Sequence, residues 1–128
     1  METTEHSSEP DKIQVIETTP DEIDGCSCYA SRNKDEFEKR EYIYMDDYGD
    51  IAFMQINGRI ERLKLTKSDT LTSADHSKET WANEDFEVTL EKHETGQIEE
   101  TWQHKGRLTL KPRAGDVIEM EIVGECGC

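Results

Sequence analysis

Residues 41–65, EYIYMDDYGDIAFMQINGRIERLKL, decide the fold class. Tyr42, Ile43, Tyr44 and Met45 make one apolar run, and a second runs from Ile51 to Ile56. Aromatic and β-branched residues of this kind suit a pleated, half-buried strand. The DDYGD string between the runs, residues 46–50, has the composition of a turn. Asn57-Gly58 then supplies the strongest short hairpin signal, because a type I′ turn needs two positive φ angles. Ile60, Leu63 and Leu65 lie on the returning strand. A strict two-residue turn pairs Ala52 with Leu63 and Phe53 with Arg62, and it puts Ile60 on the face opposite Leu63 and Leu65. A bulge near Glu61 or a longer turn would bring all three to one face. The hairpin is therefore expected, with its register open.

The pattern extends in both directions from this hairpin. Residues 66–80, TKSDTLTSADHSKET, are polar and read as a loop of about 15 residues, longer than most connections in a compact domain. Long ordered loops often carry function, so partner contact is expected there. From Trp81 the strand pattern returns: Phe86, Val88 and Leu90 alternate with Glu87, Thr89 and Glu91. HETGQ, residues 93–97, reads as a turn, and residues 98–110 as a strand kinked at Gly106. Residues 112–115 turn the chain into a last strand over 117–123. Upstream, IDGCSCYA at 23–30 is a short strand. Residues 31–40 carry one or two helical turns, with Ser31 or Asn33 as cap and Phe37 as the apolar anchor. Residues 1–20 hold five acids and one Lys and read as a flexible acidic N-terminal tail, in which Ile13, Val15 and Ile16 could add an edge strand. Residues 21–128 then form a single β-rich domain. The spacing predicts a mainly β fold: an antiparallel β-barrel or sandwich of six to eight strands with one short helix, its N- and C-terminal strands paired.

Charge narrows the partners. The 128 residues carry 30 acids against 15 bases, a formal net charge of −15. No Lys/Arg cluster is present to neutralise phosphates, so nucleic acid is not an expected partner. A protein or other cationic partner would be steered in. No stretch approaches the roughly 18 apolar residues that span a bilayer, so membrane association is expected only through a lipid anchor removed with a leader segment.

All four cysteines lie in two Cys-x-Cys motifs, Cys26-Ser27-Cys28 and Cys126-Gly127-Cys128. Residues i and i+2 of a strand share a face. If the two strands run antiparallel with Cys26 opposite Cys128, Cys28 falls opposite Cys126, and one register gathers all four sulfurs. Three readings remain. Two disulfides would imply an oxidising compartment, and closing a loop of about 100 residues would contribute roughly 4.7 kcal/mol. A four-thiolate zinc site has the right ligand type, although one intervening residue is fewer than the usual two to four. A Cys-x-Cys dithiol that cycles to a disulfide would be strained, and the flanking Asp24 and Glu125 would raise rather than lower a thiol pKa.

Other side-chain groups point less sharply to a function. Asp46, Asp47 and Asp50 suggest a cation loop but lack EF-hand spacing and read as an acidic turn. His76, His93 and His104 read as scattered surface residues. Trp81 and Trp102 read as core residues or as an exposed contact site; with Asp75 and His76 they form the candidate partner-binding set. Glu119 and Glu121 would serve a barrel enzyme only if they faced inward, and charged residues are seldom fully buried. No nucleophile elbow, P-loop or dinucleotide motif is present.

GCSCY followed by the 41–65 segment resembles small secreted or lipoprotein β-domains of bacteria. The string from Ala52 to Gly58 is similar to the hairpin of periplasmic inhibitors of C-type lysozyme, which are small β-barrels. Their inhibitory loop carries a Ser-Ala-Ser-Gly-like motif, of which Ser73-Ala74-Asp75 keeps only the beginning, so no functional residue carries over. The expected protein is a non-catalytic binding or inhibitor module, periplasmic or at the cell surface, stapled by two disulfides and without a cofactor. The alternative is a zinc protein using Cys26, Cys28, Cys126 and Cys128.

Overall fold

The computed structural model describes residues 12–70 and 76–127. Nine strands and one helix follow in chain order: β1 (Ile13–Gln14), β2 (Ser27–Ser31), α1 (Lys34–Glu38), β3 (Tyr44–Asp46), β4 (Ile51–Ile56), β5 (Arg59–Thr70), β6 (His76–Ala82), β7 (Phe86–Ile98), β8 (Thr101–Pro112) and β9 (Ile118–Gly127). From β2 to β9 each strand pairs antiparallel with the next, and β9 pairs back onto β2. The result is a closed eight-stranded up-and-down barrel. Closure removes the unpaired sheet edges that invite aggregation. The extra strand β1 takes the stretch of the β4 edge that β3 leaves open: Ile13 and Gln14 pair with Ile56 and Gln55, while β3 pairs with Phe53 and Ala52.

The Asn57-Gly58 hairpin adopts the strict register. Ala52 faces Leu63 and Phe53 faces Arg62, with no bulge at Glu61. Asn57 and Gly58 have φ of 54° and 83°, the two positive angles that a type I′ turn demands. Ile60 is consequently turned outward and is 44 % exposed. The turn geometry decided the register over burial of one isoleucine.

One expected loop and one expected turn contain strand instead. In the polar stretch 66–80, expected as a loop, Lys67, Ser68, Asp69 and Thr70 face Thr80, Glu79, Lys78 and Ser77 after a bulge between Leu65 and Lys67, while residues 71–75 lie outside the described residues. Its threonines favour extended backbone, and the ladder supplies the hydrogen bonds that a loop would have to find in water. HETGQ is not a turn. β7 continues through it with a bulge between Glu94 and Gly96, and the chain reverses at Glu99-Glu100, where Glu99 has φ 54°. Gly96 marks a bulge rather than a reversal, a second role open to a strand glycine. The ladders also run through Gly106 without a register shift.

Side chains alternate along each strand. Ala30, Tyr44, Met54, Leu63, Trp81, Val88, Leu90, Leu108, Leu110 and Ile122 fill the apolar core. β3 and β4 are buried on both faces. The segment from Lys12 accounts for their outer face, since it is bonded along this part of the barrel. The Lys12 N–H donates to Asn57 Oδ1, the Ile16 N–H to the Tyr42 carbonyl, the Glu17 N–H to Gln55 Oε1, and Arg62 pairs bidentately with Glu22. Ile13 and Ile16 are buried here, inside the stretch expected as a tail; residues 1–11 lie outside the described residues. Helix α1 begins at Asn33, whose Oδ1 accepts from the Glu36 N–H. It lies between β2 and β3, and its anchor Phe37 stacks on Tyr29 and meets Tyr42 edge-on.

A polar chamber at one end of the barrel

The start of β2, the end of β3, the start of β6, the end of β7, the start of β8 and the end of β9 meet at one end of the barrel. There the apolar layers give way to a chamber of about 220 Å³. Parity decides who lines it. Lys92 follows Val88 and Leu90 on the inner face of β7. Glu79 precedes Trp81 on β6, and His104 precedes Leu108 and Leu110 on β8. Asp46 follows Tyr44 on β3.

Cys28 and Cys126 are directly opposed in the β2–β9 ladder and joined by a disulfide that faces the chamber. This is the antiparallel register expected from the two motifs. The Cα atoms are 4.0 Å apart, as in a close cross-strand pair. Cys26 is also disulfide-bonded; Cys128 lies outside the described residues. None of the described cysteines is free. A thiolate zinc site would need sulfurs that the Cys28–Cys126 bridge has already joined. Among the described residues no group of three or more His, Cys, Asp or Glu side chains is placed to hold a metal ion.

The chamber carries charge on buried side chains. Lys92 is only 8 % exposed; its Nζ lies 3.4 Å from Glu79 Oε1 and 3.9 Å from Cys126 Sγ. Asp46, 2 % exposed, accepts the Tyr44 hydroxyl at 2.5 Å and the Tyr48 N–H at 2.9 Å. Burial raises the Asp46 pKa, opposed by these hydrogen bonds and by the positive charge of Lys92. Burial likewise pushes Tyr44 well above the ordinary tyrosine value, so its hydroxyl stays a donor. His104 was expected at the surface but is 7 % exposed. Burial, and then the charge of Lys92, lowers its pKa to about 3, so the ring is neutral at pH 7. Gly124 makes room for it: a Cβ there would stand 2.7 Å from His104 Cε1 and 2.4 Å from the Tyr29 carbonyl oxygen.

Among the described residues, five buried side-chain atoms lack a hydrogen-bond partner. Two of them, His76 Nε2 and Glu79 Oε1, lie within ion-pair distance of Glu91 and Lys92. Three nitrogens that line the chamber remain. Trp81 Nε1 and both ring nitrogens of His104 have no hydrogen-bond partner among the described residues. Most buried polar atoms in folded proteins have one, so each such atom calls for an explanation.

Of the candidate partner-binding residues, Trp81 and Trp102 meet in this chamber. Trp81 is 1 % exposed and faces inward, not toward a partner's surface. His76 stands outside, its ring stacked on His93 at 3.7 Å and its Nε2 3.5 Å from Glu91. Asp75 lies outside the described residues. Glu119 and Glu121 face solvent. Asp47 caps the β3–β4 turn, its Oδ1 accepting the N–H groups of Gly49 and Ile51. Sequence reasoning missed Lys92, Glu79 and His104, although a signal existed: each shares strand parity with core residues already assigned. The chain matches no protein-family model, curated protein or solved structure at a significant level.

Proposed function

We propose that the chain is a non-catalytic binding module for an oxidising compartment, the periplasm or cell surface, and that the chamber is its ligand site. One observation carries this reading: a closed, disulfide-locked barrel holds buried donors without partners at an end where side chains leave a cavity. Eight-stranded barrels have an interior just wide enough to be filled by side chains or to hold one small ligand. Here the core end is filled and the other end is not.

The chamber's own groups support binding over catalysis. Nucleophilic catalysis needs a nucleophile within hydrogen-bond reach of its base. His104, the natural base, has no such partner among the described residues and is held neutral with a depressed pKa. The two thiols facing the chamber are tied up in the bridge. Asp46 is engaged by Tyr44 and Tyr48. The net charge of −15 would draw a cationic partner toward the protein.

The compartment is tested by titrating thiols in the unfolded protein after purification without reductant. No reactive thiol is expected. Four reactive thiols would sink the oxidising-compartment reading and reopen the zinc alternative, which metal analysis of the same sample would then decide.

A further inference from the structure

The sign of charge and the pattern of hydrogen-bonding groups in the chamber define its ligand more narrowly, on the reading that the chamber is a ligand site. Asp46, Glu79 and Glu94 line it against one cation, Lys92. Lys92 lies within ion-pair distance of Glu79. That leaves Asp46 and Glu94 without a full countercharge inside the chamber. Glu94 is exposed and Asp46 is buried, so the cost falls on Asp46, because a desolvated charge needs partners. Two indole rings, Trp81 and Trp102, line the same space, and indole is the best aromatic partner for a cation.

Independently, the unpartnered nitrogens require a hydrogen-bond acceptor. Trp81 Nε1 can only donate, is fully buried and has no acceptor among the described residues. Neutral His104 offers one donor and one acceptor. An ammonium group alone would leave Trp81 unsatisfied, and an anion would meet the wrong sign of charge. A molecule with both a cationic nitrogen and a neutral oxygen acceptor satisfies each group. The cavity of about 220 Å³ is smaller than the roughly 300–1,000 Å³ typical of drug-sized ligands, so the molecule is small.

We propose that the chamber binds a small hydroxylated ammonium compound of the amino-alcohol or amino-sugar class. Asp46, Glu79 and Glu94 face its nitrogen, and Trp81 Nε1 donates to its oxygen. The indoles report directly on occupancy, because both tryptophans of the chain line the site.

Two charge-matched series test this by tryptophan fluorescence and calorimetry on the oxidised protein: ethanolamine, ethylene glycol and glycolate, and glucosamine, glucose and gluconate. At least one ammonium member is expected to bind about tenfold more tightly than its neutral and anionic counterparts. Trp81→Phe, which keeps the ring and deletes the donor, is expected to weaken that binding several-fold. Glu94→Gln, at an exposed position, is expected to weaken it without disturbing the fold. Cations gathered loosely by the acidic surface would bind the wild type and Trp81→Phe equally, and that result overturns the proposal. Preference for a neutral or anionic member overturns the ammonium assignment while the chamber remains a ligand site. Failure of all six to bind at about 10 mM overturns the ligand-site reading itself.

Discussion

His104 makes the barrel sensitive to acid in a way that can be worked out from its surroundings. The unfolded chain takes up a proton on this ring near its ordinary value of 6.5, whereas the folded protein resists until about pH 3. Below 6.5 the unfolded state therefore binds more protons, and stability falls as pH falls toward 3. Each pH unit inside that window costs about 1.4 kcal/mol, so acidification to pH 5 removes about 2 kcal/mol. Against a typical margin of about 5–15 kcal/mol, this is a large share. Asp46 works in the opposite direction. Its pKa is raised, so the folded state takes up that proton more readily than the unfolded state and gains relative stability as pH falls through the raised value. Comparing the wild type with His104→Gln separates the two, because Asp46 is common to both. Urea unfolding at pH 7 and pH 5 should show the wild type losing about 2 kcal/mol more than the variant. Equal losses would refute the reasoning. So would an imidazole resonance of His104 that titrates near 6.5 in the folded protein; this second measurement does not depend on how well the variant folds.

Two further outcomes follow from the same end of the barrel. Full reduction of the protein should lower its unfolding free energy by roughly 4–5 kcal/mol, the chain-entropy value for a bridge closing a loop of this length, read from the urea midpoint with and without reductant; an unchanged midpoint would mean that the β2–β9 ladder closes the barrel unaided. Lys92→Met should destabilise by about 3 kcal/mol, because it strands buried Asp46 and half-buried Glu79 without their cation; adding Glu79→Gln to that variant should restore part of the loss, and a further loss would argue against the pairing.

The fold was readable wherever two independent signals agreed. The Cys-x-Cys spacing and the antiparallel topology required the same register, and Cys28 does face Cys126. Asn57-Gly58 specified a two-residue turn, and that turn prevailed over the burial of Ile60. Errors came where a single signal was read alone. The polarity of residues 66–80 suggested a loop, yet residues 67–70 pair with residues 77–80 after the bulge between Leu65 and Lys67. Gly96 suggested a reversal and proved to mark a bulge. The chamber was harder to read, since its members come from six strands and only ring closure brings them together. Parity would have placed Lys92, Glu79 and His104 inside. It would not have said that they share one end of the barrel, because that depends on the stagger of strands distant in sequence.

The position of the disulfide answers a question left by the sequence. One bridge between the first and last barrel strands supplies most of the entropic benefit wherever it lies along the seam. It lies in the polar layer, facing Lys92, and not among Leu90, Leu108 and Leu110. In that layer packing contributes least and unsatisfied groups cost most: each buried polar atom without a partner is worth about 1–3 kcal/mol against folding. A barrel selected for stability alone would carry apolar side chains at positions 79, 92 and 104, as it does at 81, 90 and 108. The bridge instead holds the β2–β9 seam shut beside groups that would otherwise loosen it. On this argument the cross-link and the chamber are one device. Filling the chamber with apolar substitutions should therefore make the protein less dependent on its disulfides while abolishing whatever the chamber binds.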